Sequence, residues 1–292
     1  MPIWEAVLLG VVQGLTEFLP ISSTAHLLVV RTLLKHPHPE DAFTVVIQLG
    51  TLVAVFAYFR DEVGRMLRGL WADIRARKFG STPDSRLGWL IVLGTIPAVV
   101  VGYLFKKQLK EHFFNLTSIA VVSIVFALLM LAAEWWAHRR VKKGLPPREE
   151  GDIGWLDALW VGIWQACALM PGGSRSGTTI TGGLFAGLAR PAAARFSFLL
   201  SLPVMIGAGL KELYDEYKTL KHPVEGEPAS LFASGDQMVA LAVGTAVSAI
   251  VGYLAIAFLL NFLKRYSTAV FVAYRLLLGV AILALLGAGI LK

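Results

Sequence analysis

The chain has 292 residues, 56% of them hydrophobic and 16% charged, with a mean hydropathy of +0.65. Apolar content at that level excludes an ordinary water-soluble domain and points to an integral membrane protein. The net charge of +7 does not argue for nucleic acid: the basic residues fall between apolar runs, where topology and anionic lipid account for them.

Glu5 interrupts the first apolar segment and no basic stretch precedes it, which argues against a cleaved leader. Residues 4–16 predict a helix too short to cross ~30 Å of hydrocarbon at ~1.5 Å per residue, so it reads as re-entrant, broken near Pro20. Apolar runs follow at 42–59, 88–105 and 117–137, and then the charged linker RRVKKGLPPREEGD. The same order returns after it, with a short helix at 156–169 broken near Pro171 and runs at 192–210, 238–263 and 268–291. The single cysteine, Cys167, excludes an internal disulfide framework and a Cys-based metal cluster.

The recurrence extends to residues. EAVLLGVVQG from Glu5 aligns with DALWVGIWQA from Asp157, an offset of 157 − 5 = 152, and pairs Gln13 with Gln165. VVVGYL from Val99 aligns with AIVGYL from Ala249, an offset of 249 − 99 = 150. The expected fold is an all-α polytopic membrane protein with two inverted-topology repeats, each a re-entrant helix hairpin plus three transmembrane helices. The first repeat takes 1–138, a cytoplasmic linker 139–154, and the second repeat 155–292. Loop charge agrees with inversion: residues 60–86 carry seven Lys or Arg against four acids, and residues 211–236 three against six. The positive-inside rule then places the first loop in the cytoplasm and the second outside, with both termini exterior. Lys106, Lys107 and Lys110 run against that rule.

Two polar clusters stand at the breaks. In TEFLPISSTAH, Gln13 and Glu17 share a helical face leading into the break. Ser22 or Ser23 opens the next helix beside free backbone N–H groups, and His26 follows on the same face. In PGGSRSGTT, glycines allow successive N–H groups to wrap an anion, and Arg175 brings a guanidinium suited to paired oxygens. Ser174 and Ser176 add donors, with Thr178 or Thr179 capping or reaching the same anion. A carboxylate at membrane depth is costly enough to mark function or a needed ion pair, and a purely structural Glu17–Arg175 salt bridge is the chief competing reading. Arg275 reads as snorkelling or pairing with a carbonyl. His36, His38, His112, His138 and His222 read as loop residues without metal-ligand spacing.

At these residues the chain resembles the undecaprenyl pyrophosphate phosphatase family, also called the bacitracin-resistance family, over essentially its whole length. The resemblance rests on QGLTEFLPISSTAH, a Glu or Gln four residues before a Glu leading into PxSSTxH, and on PGGSRSGTT, which matches PGxSRSG followed by threonine. It implies a bacterial inner-membrane hydrolase that takes the terminal phosphate from undecaprenyl pyrophosphate, recycling a carrier lipid for cell-wall synthesis. Carried over by position, Glu17, Ser23, His26, Ser174, Arg175 and Thr179 match the family's essential residues, and Glu17, Ser23, His26 and Arg175 are the expected catalytic residues among them. Gln13, Ser22, Thr24, Gly172, Gly173, Ser174, Ser176, Thr178 and Thr179 are the expected substrate contacts. Gln13 stands where many members have Glu, which removes one carboxylate from a two-carboxylate metal site. No cofactor is assigned; Mg²⁺ or Ca²⁺ bridging Glu17 and the diphosphate is left open, as is a homodimer. Partners are the polyprenyl diphosphate and membrane lipid, with no nucleic acid, and the site is expected to open to the exterior. A secondary transporter or flippase for an anionic lipid is the alternative, since inverted repeats and broken helices are its hallmarks.

Overall fold

The computed structural model describes residues 1–34, 42–222, 230–232 and 234–290, and within them the chain forms twelve α-helices and one 3₁₀ turn. Five of these helices are long and apolar enough to cross a membrane, or six if one bent pair counts as a span. The protein is thus a multi-pass, all-helical membrane protein. His36 and His38 lie outside the described residues.

The first hairpin is α1 (Ile3–Phe18) and α2 (Ser23–Leu33). Next come α3 (Ala42–Val46) and α4 (Gln48–Tyr58), then α5 (Arg60–Ala76), α6 (Pro83–Phe113) and α7 (Leu116–Lys142). The 3₁₀ turn (Glu150–Asp152) leads to a second hairpin, α8 (Trp155–Cys167) and α9 (Arg175–Phe185). The chain ends with α10 (Arg190–Lys221), α11 (Gly235–Leu263) and α12 (Ala269–Gly287). At 1.5 Å per residue α1 and α8 reach only about 24 and 20 Å, short of a full crossing.

Residues 60–86 are not the charged loop expected from their composition. Most form α5, which turns away from the preceding span by 83° at Phe59. Val63, Met66 and Asp73 are buried, while Leu67, Trp71 and Ile74 form an exposed stripe at helical spacing, suited to a lipid headgroup region. Asp73 closes the turn into α6. It accepts from the Ser81 hydroxyl, from the Gly80 and Ser81 amides and from Trp89 Nε1; the Ser81 hydroxyl above all, with the two amides, holds its carboxyl down at about 2. The histidines also depart from expectation: His112 and His138 belong to the helices α6 and α7, and His222 caps α10.

Packing is exchanged between the two halves of the chain. The short helix α1 lies mainly on α11, and α8 mainly on α6; α4 packs on α11, α10 on α6, and α7 on α12. Close approach makes the exchange possible. A Cβ on Gly162 of α8 would fall 2.4 Å from the Gly94 carbonyl oxygen of α6, so the two backbones touch there. The linker is fastened as well: Arg148 clasps Asp157 at 2.6 and 3.0 Å and bridges by its backbone to Gly187 and Ala189.

One buried carboxylate ties three helices together at one end. Glu134 of α7 accepts from Arg190 Nε at 2.9 Å and Nη2 at 2.6 Å, and from the Thr268 amide and hydroxyl at 2.7 and 2.8 Å. It is a structural clamp across α7, α10 and α12, because both its oxygens are occupied by protein donors. Glu134→Gln leaves Arg190 without its anion and should cost about 2 kcal/mol, the usual loss for a buried pair being moderated by partial solvent access to Arg190. A thermal-unfolding midpoint in detergent equal to that of the parent protein would remove this role.

Candidate active site

The two hairpin tips share a local geometry dictated by serine. Pro20 forces the preceding Leu19 into an extended conformation, which ends α1. Ser22 then turns back at φ 74°, ψ 96°, and its hydroxyl accepts from the Ala25 amide to cap α2. In the second tip Ser174 stands at φ 67°, ψ 108° and caps α9 by accepting from the Gly177 amide at 3.2 Å. The two serines are 174 − 22 = 152 residues apart, the repeat offset, and each opens a helix at the wall of the same cavity.

Glu17 and Arg175 join the tips. Arg175 Nη2 donates to Glu17 Oε1 at 3.0 Å, with the arginine side chain 13% and the glutamate 5% exposed. Three more donors converge on the same carboxylate: Gln13 Nε2 at 3.1 Å and Ser23 Oγ at 2.9 Å on Oε2, and Gln48 Nε2 at 3.4 Å on Oε1. A carboxylate has about four acceptor directions, and all are used. Arg175 keeps capacity in reserve: Nη1 reaches the Ser197 carbonyl at 3.3 Å, and Nε has no partner among the described residues.

Glu17, Ser23, Gln48 and Arg175 line a cavity of about 170 Å³ with Ser22, Thr24, Gln165, Gly172 and Ser174; Gln13, expected as a substrate contact, is not among the lining residues and reaches the site only through Glu17. Its other wall is apolar, from Ala98 near the middle of α6 and from Val204, Met205 and Ala208 of α10. Polar head and apolar wall together suit a phosphorylated lipid better than a free anion.

Not every expected site residue reaches this cavity. His26 Nδ1 lies 2.7 Å from the Ser22 carbonyl oxygen, which can only accept, so Nδ1 carries the hydrogen. In the neutral ring Nε2 then accepts from the Tyr274 hydroxyl at 2.6 Å. Both ring nitrogens are occupied, and Ser23 is bonded to Glu17 instead. Thr178 and Thr179 neither cap α9 nor line the cavity; their hydroxyls turn to the Ser174 and Arg175 carbonyls, and Thr179 also meets Ser197 Oγ at 2.6 Å. Ser176 donates to the Leu19 carbonyl at 3.2 Å, tying one tip to the other. Gly173 stays behind the cavity wall, where its carbonyl, like that of Gly172, accepts from Arg275 Nη2.

Arg275 is fully buried and does not snorkel; its bonds to Gly172 and Gly173 at 2.9 and 3.0 Å hold the glycine turn from behind. Gln48 and Tyr274 went unmarked in the sequence, although Gln48 is a lone amide within an apolar run. A protein-built metal site does not fit here. Among the described residues no three His, Cys, Asp or Glu side chains gather, and Glu17, the one carboxylate at the cavity, already accepts four hydrogen bonds.

Comparison with known proteins gives the family. The family model described as bacitracin resistance protein BacA matches residues 6–281. The chain belongs to that family. Its relatives include proteins named undecaprenyl-diphosphatase from Chlorobium phaeobacteroides (strain BS1), 48% identical over 292 residues and all of both chains, and from Prosthecochloris aestuarii, 48% identical over 99% of each. A third, from Chloroherpeton thalassium and of the same name, is 47% identical over the whole of this chain and 99% of its own.

The glycine turn is the least forgiving part of the cavity. Gly172 sits at φ +91°, and a Cβ there would fall 2.3 Å from the Ile119 carbonyl oxygen. Gly172→Ala therefore combines a left-handed backbone penalty with a backbone clash and should destabilise by about 2 to 4 kcal/mol. An unchanged unfolding midpoint would show that the turn relaxes freely.

Proposed function

We propose that this protein hydrolyses undecaprenyl diphosphate to undecaprenyl phosphate and inorganic phosphate, regenerating a carrier lipid for cell-wall synthesis. One observation carries the mechanism: Ser23 Oγ donates to Glu17 at 2.9 Å while Glu17 holds Arg175 at 3.0 Å, all on one cavity. That is a nucleophile, its base and an anion-binding cation in mutual contact.

In the first step Ser23 Oγ attacks the terminal phosphorus and passes its proton to Glu17. The bond from that phosphorus to the bridging oxygen breaks, and the lipid monophosphate leaves with the proton returned by Glu17. In the second step water attacks the phosphoserine, Glu17 takes its proton and gives it to the departing Ser23 oxygen, and inorganic phosphate is released. Protonating Glu17 weakens its hold on Arg175, which frees the guanidinium to face the equatorial oxygens as charge spreads over them. The N-terminal amides of α2 and α9 add fixed donors. His26, with both nitrogens occupied, orients the Ser22 turn through its carbonyl and links it to α12 through Tyr274.

The membrane is taken to be the bacterial inner membrane, and the two halves, residues 1–138 and 155–292, are read as oppositely oriented copies with the cavity open to the exterior. The exchanged packing of α1 with α11 and α8 with α6 and the reversed loop charges support that reading. A transporter needs binding groups only, and nothing in transport calls for a serine hydroxyl bonded to a carboxylate.

Purified protein in detergent, given a long-chain prenyl diphosphate, should release inorganic phosphate; a protein that binds the lipid and releases none is a carrier and not a hydrolase. Ser23→Ala should abolish release with the fold intact, and near-normal turnover would eliminate the covalent route. Arg175→Lys should lose at least ~100-fold in kcat, because a point charge does not reproduce the guanidinium fork.

A further inference from the structure

Gln165 is the residue whose surroundings the mechanism above leaves unexplained. It occupies the α8 position equivalent to Gln13 of α1, since 165 − 13 = 152. Gln13 spends its amide on Glu17, four residues ahead on the same helix face, at 3.1 Å. Four residues beyond Gln165 stands Leu169, which offers no acceptor. Among the described residues neither Nε2 nor Oε1 of Gln165 has a hydrogen-bond partner, although the residue is 2% exposed. It lines the same cavity as Glu17, Ser23, Ser174 and Arg175.

A buried primary amide with both ends open is a cost to the fold that a Leu or Met of similar size would not incur. The partner is therefore expected from the cavity's contents. An amide presents N–H donors and a carbonyl acceptor, and a phosphoryl group that carries a single proton offers the complementary oxygen acceptors and P–OH donor. We infer that Gln165 is a substrate-contacting residue, its Nε2 donating to a non-bridging oxygen of the diphosphate opposite the face gripped by Arg175. The assignment rests on the hydrolase reading for the identity of the ligand but not for its chemistry. The two copies then use one amide position in two ways: Gln13 orients the base, and Gln165 orients the phosphate.

The test compares Gln165→Leu and Gln165→Glu with the parent protein by two readouts, thermal protection by inorganic pyrophosphate and phosphate release from a long-chain prenyl diphosphate. Gln165→Leu should unfold at the parent temperature or above it, because it removes an unsatisfied buried amide, yet lose pyrophosphate protection and about 10- to 100-fold in kcat/KM. Gln165→Glu should lose more, since it sets a carboxylate against the anion. Parent-like protection and kcat/KM in Gln165→Leu would overturn the inference. So would a lowered unfolding temperature with activity restored on cooling, which is the signature of a purely structural amide. A parent protein that pyrophosphate protects but that releases no phosphate refutes hydrolysis and leaves the Gln165 contact to be judged on protection alone.

Discussion

The Glu17–Arg175 ion pair is the constraint on which the molecule is organised. An isolated charge among packed apolar helices is costly, so each of these side chains stabilises the other, and together they fix where two hairpin tips from distant parts of the chain must meet. The pair is not sealed, however. It is made through one guanidinium nitrogen, and the remaining arginine capacity faces Ser197 or has no partner among the described residues. A pair built only for stability would be expected to use the fork fully, as Arg190 does with Glu134 through Nε and Nη2. The contrast between the two arginines separates a clamp from a site.

Short hairpins in a membrane need cover. The last C=O groups of one helix and the first N–H groups of the next find no neighbour in their own helix at each tip, and non-helical backbone in the interior of a membrane survives only against protein or water. Here α6 and α11 cover α8 and α1, so that each half shields the other's tip. Arg275, two carbonyl bonds behind Gly172 and Gly173, extends the same logic to the glycine turn, and Ser176 bonds across to Leu19. Cover and site are therefore one arrangement: the elements that make the breaks tolerable also bring the polar side chains together.

Much of this was legible because breaks in apolar segments are marked by residues with strong local physics. Pro20, Pro171 and the serines after them announce where the short helices end and restart, and the 152-residue offset pairs Ser22 with Ser174. The structure of residues 60–76 was not legible, because its charge suggested a loop while its exposed stripe of Leu67, Trp71 and Ile74 emerges only once the helix is drawn. Glu134 was missed for a different reason. It sits beside Trp135 and Trp136 near the end of an apolar run, where a carboxylate looks solvated, and only the tertiary approach of Arg190 and Thr268 buries it. His26 illustrates the limit of helical spacing. Its placement one turn beyond Ser22 is as expected, but which way the ring turns is decided by the Ser22 carbonyl and by Tyr274, almost 250 residues away.

The two tips restart their helices through cap serines of matching conformation yet carry different chemistry, and electrostatics gives a reason. Ser22 and Ser174 are geometric equivalents, yet the following positions are Ser23 and Arg175, and the acid slot holds Glu17 in one copy and Leu169 in the other. Facing tips that both kept a carboxylate would repel each other and any phosphate between them; tips that both kept arginine would leave no base and two buried cations. One acid against one cation is the arrangement that neutralises the interior and still leaves a donor for an anion. In the proposed reading, duplication supplies the two helix ends, and unequal side chains on them allow the pair to bind a charged headgroup and act on it.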